Sequence, residues 1–340
     1  MSITIKDVAK RAGVAPSTVS RVIADNPRIS TETKKRVRKA MKELGYHPNI
    51  NARNLAVRSS QSIGVIMPSS ADVALQNPFF PEVLRGIGSY LHDVEYSLYV
   101  STGGDEETTY EEVQRMVNGN RVDGIILLYS RMNDPIQNFL MEKKFPFVIV
   151  GKPSENESEI TYVDNNNIQA SKDLTNHLIE LGHQHIAFIG GSKELTVTVD
   201  RLTGYQSAIK EASLPLPDEY MVHTAFLKSG GREAVEKLFN LDTPPTGLVV
   251  ADDLMTLGVI NALEELGIEC PKDVSITSFN NLYLSEITTP PLTTVDIQIY
   301  NLGVQSARCL LELTKNKDEP AKRIIIPYEI KYRKSTTPIN

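Results

Sequence analysis

The sequence predicts an α/β protein in which a small all-α head precedes a two-lobed body of doubly wound parallel sheets. Short amphipathic segments with capping signals fill the first 47 residues, whereas apolar runs alternating with amphipathic segments fill the chain from residue 61. Residues 1–58 also hold 13 Lys or Arg against 4 Asp or Glu, a net charge of +9, while the remaining residues hold 23 against 38. A basic head on an acidic body indicates that the head meets a polyanion.

Length and composition exclude several classes of protein. The 340 residues are enough for two or three compact units, and no apolar run approaches the ~20 residues that a membrane span needs. The stretch MSITIKDVAKRAG lacks the apolar segment of a signal peptide, so we expect a cytoplasmic protein. Cys270 and Cys309 are expected to be buried thiols in a reducing compartment, although two cysteines leave a single disulfide open.

Three short helices are predicted in the head. Thr4 and Asp7 have the spacing of a capping box at the start of the first helix. The second helix begins near Pro16, and the third lies between Ser30, its N-cap, and Gly45. The apolar stripes that we expect to form the core of the head comprise Val8, Ala9, Ala12, Val19, Val22, Ile23, Val37, Ala40, Met41 and Leu44.

The second helix turns small polar residues and one arginine outward. The residues of this face are Pro16, Ser17, Thr18, Ser20 and Arg21. Two short helices joined through a glycine, the second with such a face, are typical of a helix-turn-helix. Small side chains let a helix approach the floor of the major groove, and Arg21 can donate two hydrogen bonds to a guanine. A plain three-helix bundle with a solvated face is the alternative, and the charge of +9 favours DNA.

The head also carries a family resemblance. The motifs DVAKRAGV, TVSRV, LGYHPN and ARNLA occur in matching order and spacing, and the chain closely resembles LacI/GalR-type bacterial repressors over essentially its whole length. The resemblance implies that Pro16, Ser17 and Arg21 face bases. It places near phosphates the residues Thr4, Thr18, Ser20, Arg28 and Ser30. Contacts to phosphate would position the head, and the few base contacts would specify the sequence.

A hinge helix and linker are predicted at residues 48–59, where two helical turns are too short to be stable alone in water. In the family, the matching helices of two subunits pack together in the minor groove, and each inserts a leucine. Leu55 would then be the wedge that kinks the central base step. Asn49 and Ala52 would face the partner hinge or the groove, and Arg53 would approach phosphates. The alternative is that Leu55 anchors a passive tether on the body.

The body, residues 60–340, reads as two series of strands and helices. SIGVIMP, SLYVST, VDGIILLY and FPFVIVG form the first series, and HIAFIGG, TGLVVADD and VSITSFNN form the second. LTTVDI and the helix after it are expected to return to the first lobe, and RIIIPYEIKYR to add a late strand to the second. The predicted domains are the head at 1–47, the first lobe at about 60–160 and 293–322, and the second at about 161–292 and 323–340.

A ligand pocket is predicted at the carboxyl ends of the strands, where open α/β sheets bind their ligands. The stretches that directly follow strands are 77–80, 129–131, 151–152, 199–205, 226, 252–253 and 280–281. They bring aromatic residues together with Arg, Asp and Asn, which suits a polyhydroxylated ligand. Structural alternatives exist for single residues: Phe79 and Phe80 as ordinary core, and Asp252 or Asp253 as a helix N-cap.

The resemblance implies that this pocket lies between two periplasmic-binding-protein-like lobes. The effector-binding residues that it implies are Phe79, Phe80, Lys152, Arg201, Phe226, Asp252 and Asn280. Asn280 stands where the family usually has Asp; an uncharged amide is compatible with a neutral carbohydrate and disfavours a cationic ligand. The chain resembles maltose-operon repressors in particular, which implies maltose or a maltodextrin as effector. A sugar phosphate held by Lys152 and Arg201, or a corepressor protein, is the alternative.

Enzyme signatures are absent from the sequence. It contains no G-x-x-x-x-G-K-[ST], H-E-x-x-H or G-x-S-x-G motif. We expect neither cofactor nor metal, because His183 and His185 have no Cys or carboxylate at ligand spacing. The sequence therefore predicts a DNA-binding repressor of a carbohydrate operon under the control of a small sugar. A sugar-binding receptor is the other class, and the basic head argues against it.

A homodimer on a pseudopalindromic operator is expected, because one recognition helix reads too few bases for useful specificity. The resemblance implies dimerisation through the body; tetrameric relatives carry a leucine-repeat tail that KYRKSTTPIN does not match. We expect a sugar bound between the lobes to change the spacing of the two heads and to release the operator. The opposite effect, co-repression, in which the sugar strengthens operator binding, stays open.

Overall fold

The computed structural model describes residues 3–23, 25–46, 59–316 and 318–339. The chain divides into two compact units, residues 1–60 and residues 61–340. The predicted hinge residues Asn49, Ala52, Arg53 and Leu55 lie outside the described residues. Among the helices that are described, none is long and apolar enough to cross a membrane.

The head contains the three predicted helices, α1 (Ile5–Ala12), α2 (Pro16–Ile23) and α3 (Thr31–Leu44). The capping box predicted from the sequence is formed, because the Thr4 backbone N–H donates to Asp7 Oδ2 at 2.8 Å. Gly45 has a φ of +63° at the end of α3, a conformation that costs little for glycine. The buried apolar side chains of the head are Val8, Ala9, Ala12, Val19, Val22, Val37 and Ala40. The predicted stripes are therefore confirmed, with Ile23, Met41 and Leu44 half-buried at their edge.

The body alternates strands with helices, as predicted. Its elements before the first crossing between lobes are β1 (Ser62–Ile66), α4 (Ala71–Ala74), α5 (Phe79–Asp93), β2 (Ser97–Val100), α6 (Glu106–Asn118), β3 (Gly124–Leu127), α7 (Pro135–Glu142), β4 (Phe147–Val150) and β5 (Tyr162–Asp164). The second lobe follows with α8 (Asn167–Glu180), β6 (Ile186–Gly190), α9 (Thr196–Glu211), β7 (Met221–His223), α10 (Lys228–Leu238), β8 (Gly247–Val250), α11 (Asp253–Glu265), β9 (Ser275–Phe279), α12 (Leu284–Ile287) and β10 (Thr293–Asp296). The last elements are α13 (Ile299–Lys315), β11 (Arg323–Ile325) and β12 (Glu329–Lys331).

Within residues 61–316 and 318–339, the strands form two six-stranded sheets. The first has the order β11-β5-β4-β3-β1-β2, and all of its neighbouring strands are parallel. The second has the order β12-β10-β9-β8-β6-β7 and is parallel except for β12, which runs antiparallel to β10. Apolar residues fill both faces, so the predicted doubly wound architecture is confirmed.

Part of the predicted division between the lobes is wrong. The LTTVDI run forms β10, which pairs with β9 and β12 in the second sheet rather than returning to the first. The short strand β5 belongs to the first sheet through β4 and β11, although it was assigned to the second lobe. The RIIIPYEIKYR run is split near Pro327 into β11 and β12, which join different sheets. The physical reason is that pairing between strands far apart in sequence decides the lobe of a short strand.

The described chain passes between the lobes after β5, after β10 and after β11. Asn165, on the first crossing segment, joins all three. Its Nδ2 donates to the carbonyl oxygens of Ile297 at 3.1 Å and Ile326 at 2.9 Å. This buried amide therefore links the three crossing segments by hydrogen bonds.

Close helix packing positions the residues at the strand ends. A Cβ on Gly303 of α13 would overlap the carbonyl oxygen of Val83 of α5, so glycine allows these two helices to touch. In the same way, a Cβ on Gly231 of α10 would overlap the carbonyl oxygen of Met255 of α11. The N-termini of α5 and α11, which carry Phe79 and Asp252, are held in place by these contacts.

Candidate functional site

A cavity of about 120 Å³ lies at the carboxyl ends of strands from both sheets, between the two lobes of the body. Its polar wall comprises Asn77, Asp164, Asn165, Asn167, Arg201, Asp252 and Asn280. Its aromatic wall comprises Phe79, Phe80, Tyr129 and Phe226. This combination of rings with planar hydrogen-bonding groups is what a polyhydroxylated ligand requires.

Arg201 is the cation of the cavity and is only 4% exposed. It lies on α9, where Nε donates to Asn167 Oδ1 at 3.0 Å and Nη1 to the Ala251 carbonyl oxygen at 2.6 Å. The guanidinium carbon stands 4.1 Å from the centroid of the Phe279 ring. Burial lowers the pKa of Arg201 to about 10, opposed by the nearby Asp252 and Asp164 carboxyls, so the side chain stays charged at neutral pH. Nη2 makes no hydrogen bond to the described residues and is left for a ligand.

Asp252 links the cavity to the N-terminus of α11. Its Oδ1 accepts hydrogen bonds from the backbone N–H groups of Leu254 at 2.8 Å and Met255 at 3.1 Å. Its Oδ2 accepts from Asn77 Nδ2 at 3.0 Å and Asn280 Nδ2 at 2.8 Å. Burial raises the pKa of Asp252, and these hydrogen bonds oppose the shift. The residue is therefore both a helix cap and part of the cavity wall.

The bond to Asp252 explains why an amide suits position 280. A carboxylate there would stand 2.8 Å from the Asp252 carboxylate and repel it, whereas the amide donates to it. Asn280 also has a φ of +103°, a backbone conformation that asparagine tolerates better than most side chains. Its Oδ1 accepts no hydrogen bond from the described residues and can accept one from a ligand.

Asp164, at the end of β5, is a second buried carboxyl of the cavity. Its Oδ1 accepts from Asn167 Nδ2 at 2.9 Å, which connects it to Arg201 through Asn167. Burial raises its pKa to about 7; the backbone N–H of Asn165 opposes the shift, and the neighbouring Asp200 adds to it. Asp164 therefore exchanges its proton near neutral pH, and at higher pH it gives the cavity a second negative charge.

The Asp164→Asn variant is expected to gain stability over wild type as the pH rises. The folded carboxyl holds its proton up to about pH 7, whereas the unfolded one loses it near 3.8, so wild-type stability falls between these values. The amide has no proton to lose, so the gain should be less than about 1 kcal/mol at pH 4 and reach on the order of a few kcal/mol at pH 8. Urea unfolding at both pH values measures it, with the exposed Asp242→Asn as control. An equal effect at both pH values would contradict the burial of this carboxyl.

Two sets of hydrogen bonds hold the lobes together around the cavity. Asn77, from the first lobe, donates to the carbonyl oxygen of Phe226 at 3.4 Å as well as to Asp252. On another side, Arg131 and Leu195 form an isolated antiparallel β-bridge between the lobes. The Thr196 N–H donates to the Ser130 carbonyl oxygen at 3.1 Å. These bonds close the cleft in this conformation.

Ser130, from the first lobe, lines the cavity beside Tyr129. It is 5% exposed, and its Oγ is buried without a hydrogen-bond partner among the described residues. A buried hydroxyl without a partner costs free energy in this conformation.

Six of the seven residues predicted to bind an effector line this cavity. They are Phe79, Phe80, Arg201, Phe226, Asp252 and Asn280, and their contact with a ligand stays a prediction. Lys152 does not line it: its Nζ lies 3.6 Å from Glu157 Oε2. Asp253 is also outside, because its carboxylate accepts from the Leu282 N–H and from Thr294 Oγ1.

Sequence reasoning missed Asp164, Asn165 and Asn167. The available signal was the stretch TYVDNNN, in which polar residues follow a short apolar run. The strand has only three residues, too few for an apolar pattern to identify it, so the sequence does not mark the residues after it as a strand end.

The predicted DNA-binding face of the head is exposed. Pro16, Ser17, Ser20 and Arg21 are exposed on α2, while Thr18 is half-buried. Arg21 has no ion pair with any described residue, unlike Arg11, whose Nη2 lies 2.6 Å from Glu43 Oε2. Arg21 is therefore available to contact a nucleic acid.

The residues predicted to lie near phosphates differ in whether their side chains already have partners within the head. Arg28 is exposed and has no ion pair within the described chain. The Thr4 hydroxyl donates to Asp7 Oδ2 at 2.7 Å, and Ser30 Oγ donates to Thr33 Oγ1 at 2.9 Å. These two hydroxyls hold helix N-termini, and a phosphate would have to replace those partners.

Comparisons with known proteins connect the head and the cavity to one family. Residues 4–49 match the family described as bacterial regulatory proteins, lacI family, and residues 175–336 match a periplasmic binding protein-like domain. The HTH-type transcriptional regulator MalR of Streptococcus pneumoniae is 42% identical over 338 residues, covering 97% of this chain and 99% of that protein.

Solved structures agree in fold. The lac repressor dimer bound to operator and an anti-inducer matches with a TM-score of 0.86 at 26% identity, covering 99% of this chain and 100% of that one. A probable maltose operon transcriptional repressor from Staphylococcus aureus matches with a TM-score of 0.75 at 31% identity, covering 82% of this chain and 98% of that one. Identity of 42% over nearly the full length of a regulator settles the class: the chain belongs to the lacI family of bacterial regulatory proteins, and it is a DNA-binding transcriptional repressor rather than an enzyme.

Proposed function

We propose that this repressor controls a carbohydrate-utilisation operon and that its effector is a neutral sugar, maltose or a maltodextrin, bound in the cavity between the lobes. The observation that carries the proposal is the buried group formed by Arg201, Asp252 and Asn280 facing the aromatic wall. Amide, carboxylate and guanidinium groups pair with neighbouring hydroxyls, while rings cover the C–H faces of a pyranose. The maltose assignment is further supported by the similarity to the Staphylococcus aureus maltose operon repressor.

The charges of the cavity favour a neutral sugar over a sugar phosphate. Arg201 is flanked by Asp252 and Asp164, so its charge is already opposed inside the cavity. Lys152, the second cation that a phosphate would need, is engaged with Glu157 outside the cavity. A dianionic phosphate would therefore enter a buried space with no net positive charge, which costs free energy.

We further propose that the repressor acts in the cytoplasm as a homodimer on a pseudopalindromic operator. The similar lac repressor structure is a dimer bound to operator, which supports this assembly. Two copies of α2 would each read one half-site, with Pro16, Ser17 and Arg21 toward the bases and Thr4, Thr18, Ser20, Arg28 and Ser30 toward phosphates.

The proposed switch uses the pivot at Asn165. A sugar touching both lobes favours one relative orientation of the lobes, and the three bonded crossing segments define the axis of the change. Bonds between the lobes, such as Asn77 to Asp252, differ in free energy between the two orientations. We expect the sugar-bound orientation to hold operator more weakly, as an inducer requires.

The proposal is tested with the full chain in two steps. Selection from random DNA duplexes should recover a pseudopalindrome. Calorimetric titration should then show binding of maltose or maltodextrins and no binding of glucose 6-phosphate. Binding of phosphorylated sugars alone would refute the proposal of a neutral-sugar effector. It would leave the DNA-binding activity standing.

A further inference from the structure

We propose that the cleft contains two sugar subsites, one for each ring of a disaccharide. The cavity around Arg201 takes the first hexose ring, and an adjoining outer groove takes the second. This inference rests on the proposed neutral-sugar effector and adds the place where the second ring binds. The outer groove is defined by Val73, Arg131, Glu194, Thr224 and Ala225, together with walls that it shares with the cavity.

The size of the cavity limits it to one ring. A volume of about 120 Å³ corresponds to on the order of ten water-sized positions. One pyranose with its hydroxyl groups is of this size, and two linked rings are not. A maltose molecule whose first ring lies against Arg201 must therefore place its second ring elsewhere.

The outer groove is continuous with the cavity and is larger. Its volume is about 270 Å³, and both spaces are bounded by Pro68, Asn77, Phe80, Leu195 and Phe226. A glycosidic bond can pass this shared boundary because the same side chains form the wall on both sides. The second subsite therefore adjoins the position proposed for the first ring.

The side chains of the outer groove suit a sugar ring that packs its C–H faces against apolar surface. Phe80 and Phe226 contribute aromatic surface, and Val73 is 38% exposed. The Arg131 guanidinium is held in place, with Nη1 at 2.9 Å from Glu106 Oε1 and Nη2 at 3.0 Å from the Pro68 carbonyl oxygen. Apolar surface with few fixed polar groups fits a second ring whose orientation the first ring already sets.

The groove also lies where the lobes meet. Arg131 of the first lobe and Leu195 of the second, the two residues of the β-bridge, both line it. A second ring here touches both lobes beside this bridge. It therefore adds a further contact that depends on lobe orientation to those that the first ring makes in the cavity.

The test is calorimetric titration of the full-length repressor with glucose and maltose, and with galactose and lactose as a second pair. Ala225→Trp fills the groove from the second lobe and Val73→Trp fills it from the first. Both residues are on the surface, so a larger side chain does not disturb the core. Ala212→Trp, an exposed alanine at the end of α9, is the matched control, and thermal unfolding checks that each variant is folded.

Wild type is expected to bind one disaccharide at least tenfold more tightly than its constituent monosaccharide. Either groove variant should remove that advantage while leaving monosaccharide affinity within twofold of wild type, and Ala212→Trp should change neither. Equal wild-type affinity for both sugars, or equal weakening of both in the groove variants, overturns the second subsite and leaves the proposed effector class standing. Binding of no neutral sugar overturns both proposals.

Discussion

The Arg201→Met variant is expected to lose sugar affinity by roughly 100-fold or more. The guanidinium is the buried cation of the cavity, and its Nη2 has no partner among the described residues. Methionine fills similar space but donates no hydrogen bond. It also removes the positive charge that offsets Asp252 and Asp164, and it leaves the acceptor Oδ1 of Asn167 without its donor.

The same variant is expected to lower the free energy of unfolding by about 1–3 kcal/mol, because it leaves the buried acceptors Asn167 Oδ1 and the Ala251 carbonyl oxygen without their donor. Calorimetry with maltose and urea unfolding measure the two effects. Arg232→Met is the matched control: this arginine lies on the same lobe in an exposed pair with Glu265, and its loss should change stability by less than about 1 kcal/mol and sugar affinity not at all. Retained sugar affinity in a folded Arg201→Met protein would show that the ligand binds elsewhere.

The Arg21→Ala variant is expected to weaken operator binding by about 1–3 kcal/mol, roughly 5- to 150-fold, and to relax sequence preference at one position of each half-site. Arg21 is exposed on α2 and has no ion pair within the described chain. Its truncation removes the proposed base contact without disturbing the buried stripe of Val19 and Val22. Fluorescence anisotropy with the selected operator and with single-base variants measures both effects.

Arg11→Ala is the control for Arg21→Ala in the head. Arg11 is already paired with Glu43, so its removal changes the net charge equally without removing an unpaired cation. A similar loss of affinity in both variants, with no change in base preference, would show that Arg21 acts through charge alone. Sugar affinity should be unchanged in both.

The head could be predicted in detail because its signals are local. Thr4, Asp7, Ser30 and Gly45 mark helix ends within one turn of themselves, and the buried stripes follow helical spacing. In the body, long apolar runs identified the central strands. Lobe membership of β10 and β11 could not be read in this way, because it depends on partners far away in sequence.

The candidate site was predicted where a residue follows a recognisable strand. Phe226, Asp252 and Asn280 lie on the cavity wall for this reason. Asp164 could not be predicted in this way, because β5 has only three residues and its apolar run is too short to identify a strand. Lys152 also follows a strand, but its side chain pairs with Glu157, and sequence position does not tell where a long flexible side chain goes.

The central claim is that a sugar held between the lobes sets the affinity of the head for its operator. The most direct measurement is the dissociation constant of the full-length repressor for its selected operator, with and without saturating maltose, at fixed salt. We predict that maltose raises this constant by roughly 5- to 150-fold, the usual range of coupling between two sites, and that Arg201→Met abolishes the effect. An unchanged or lowered constant with maltose bound would contradict the account.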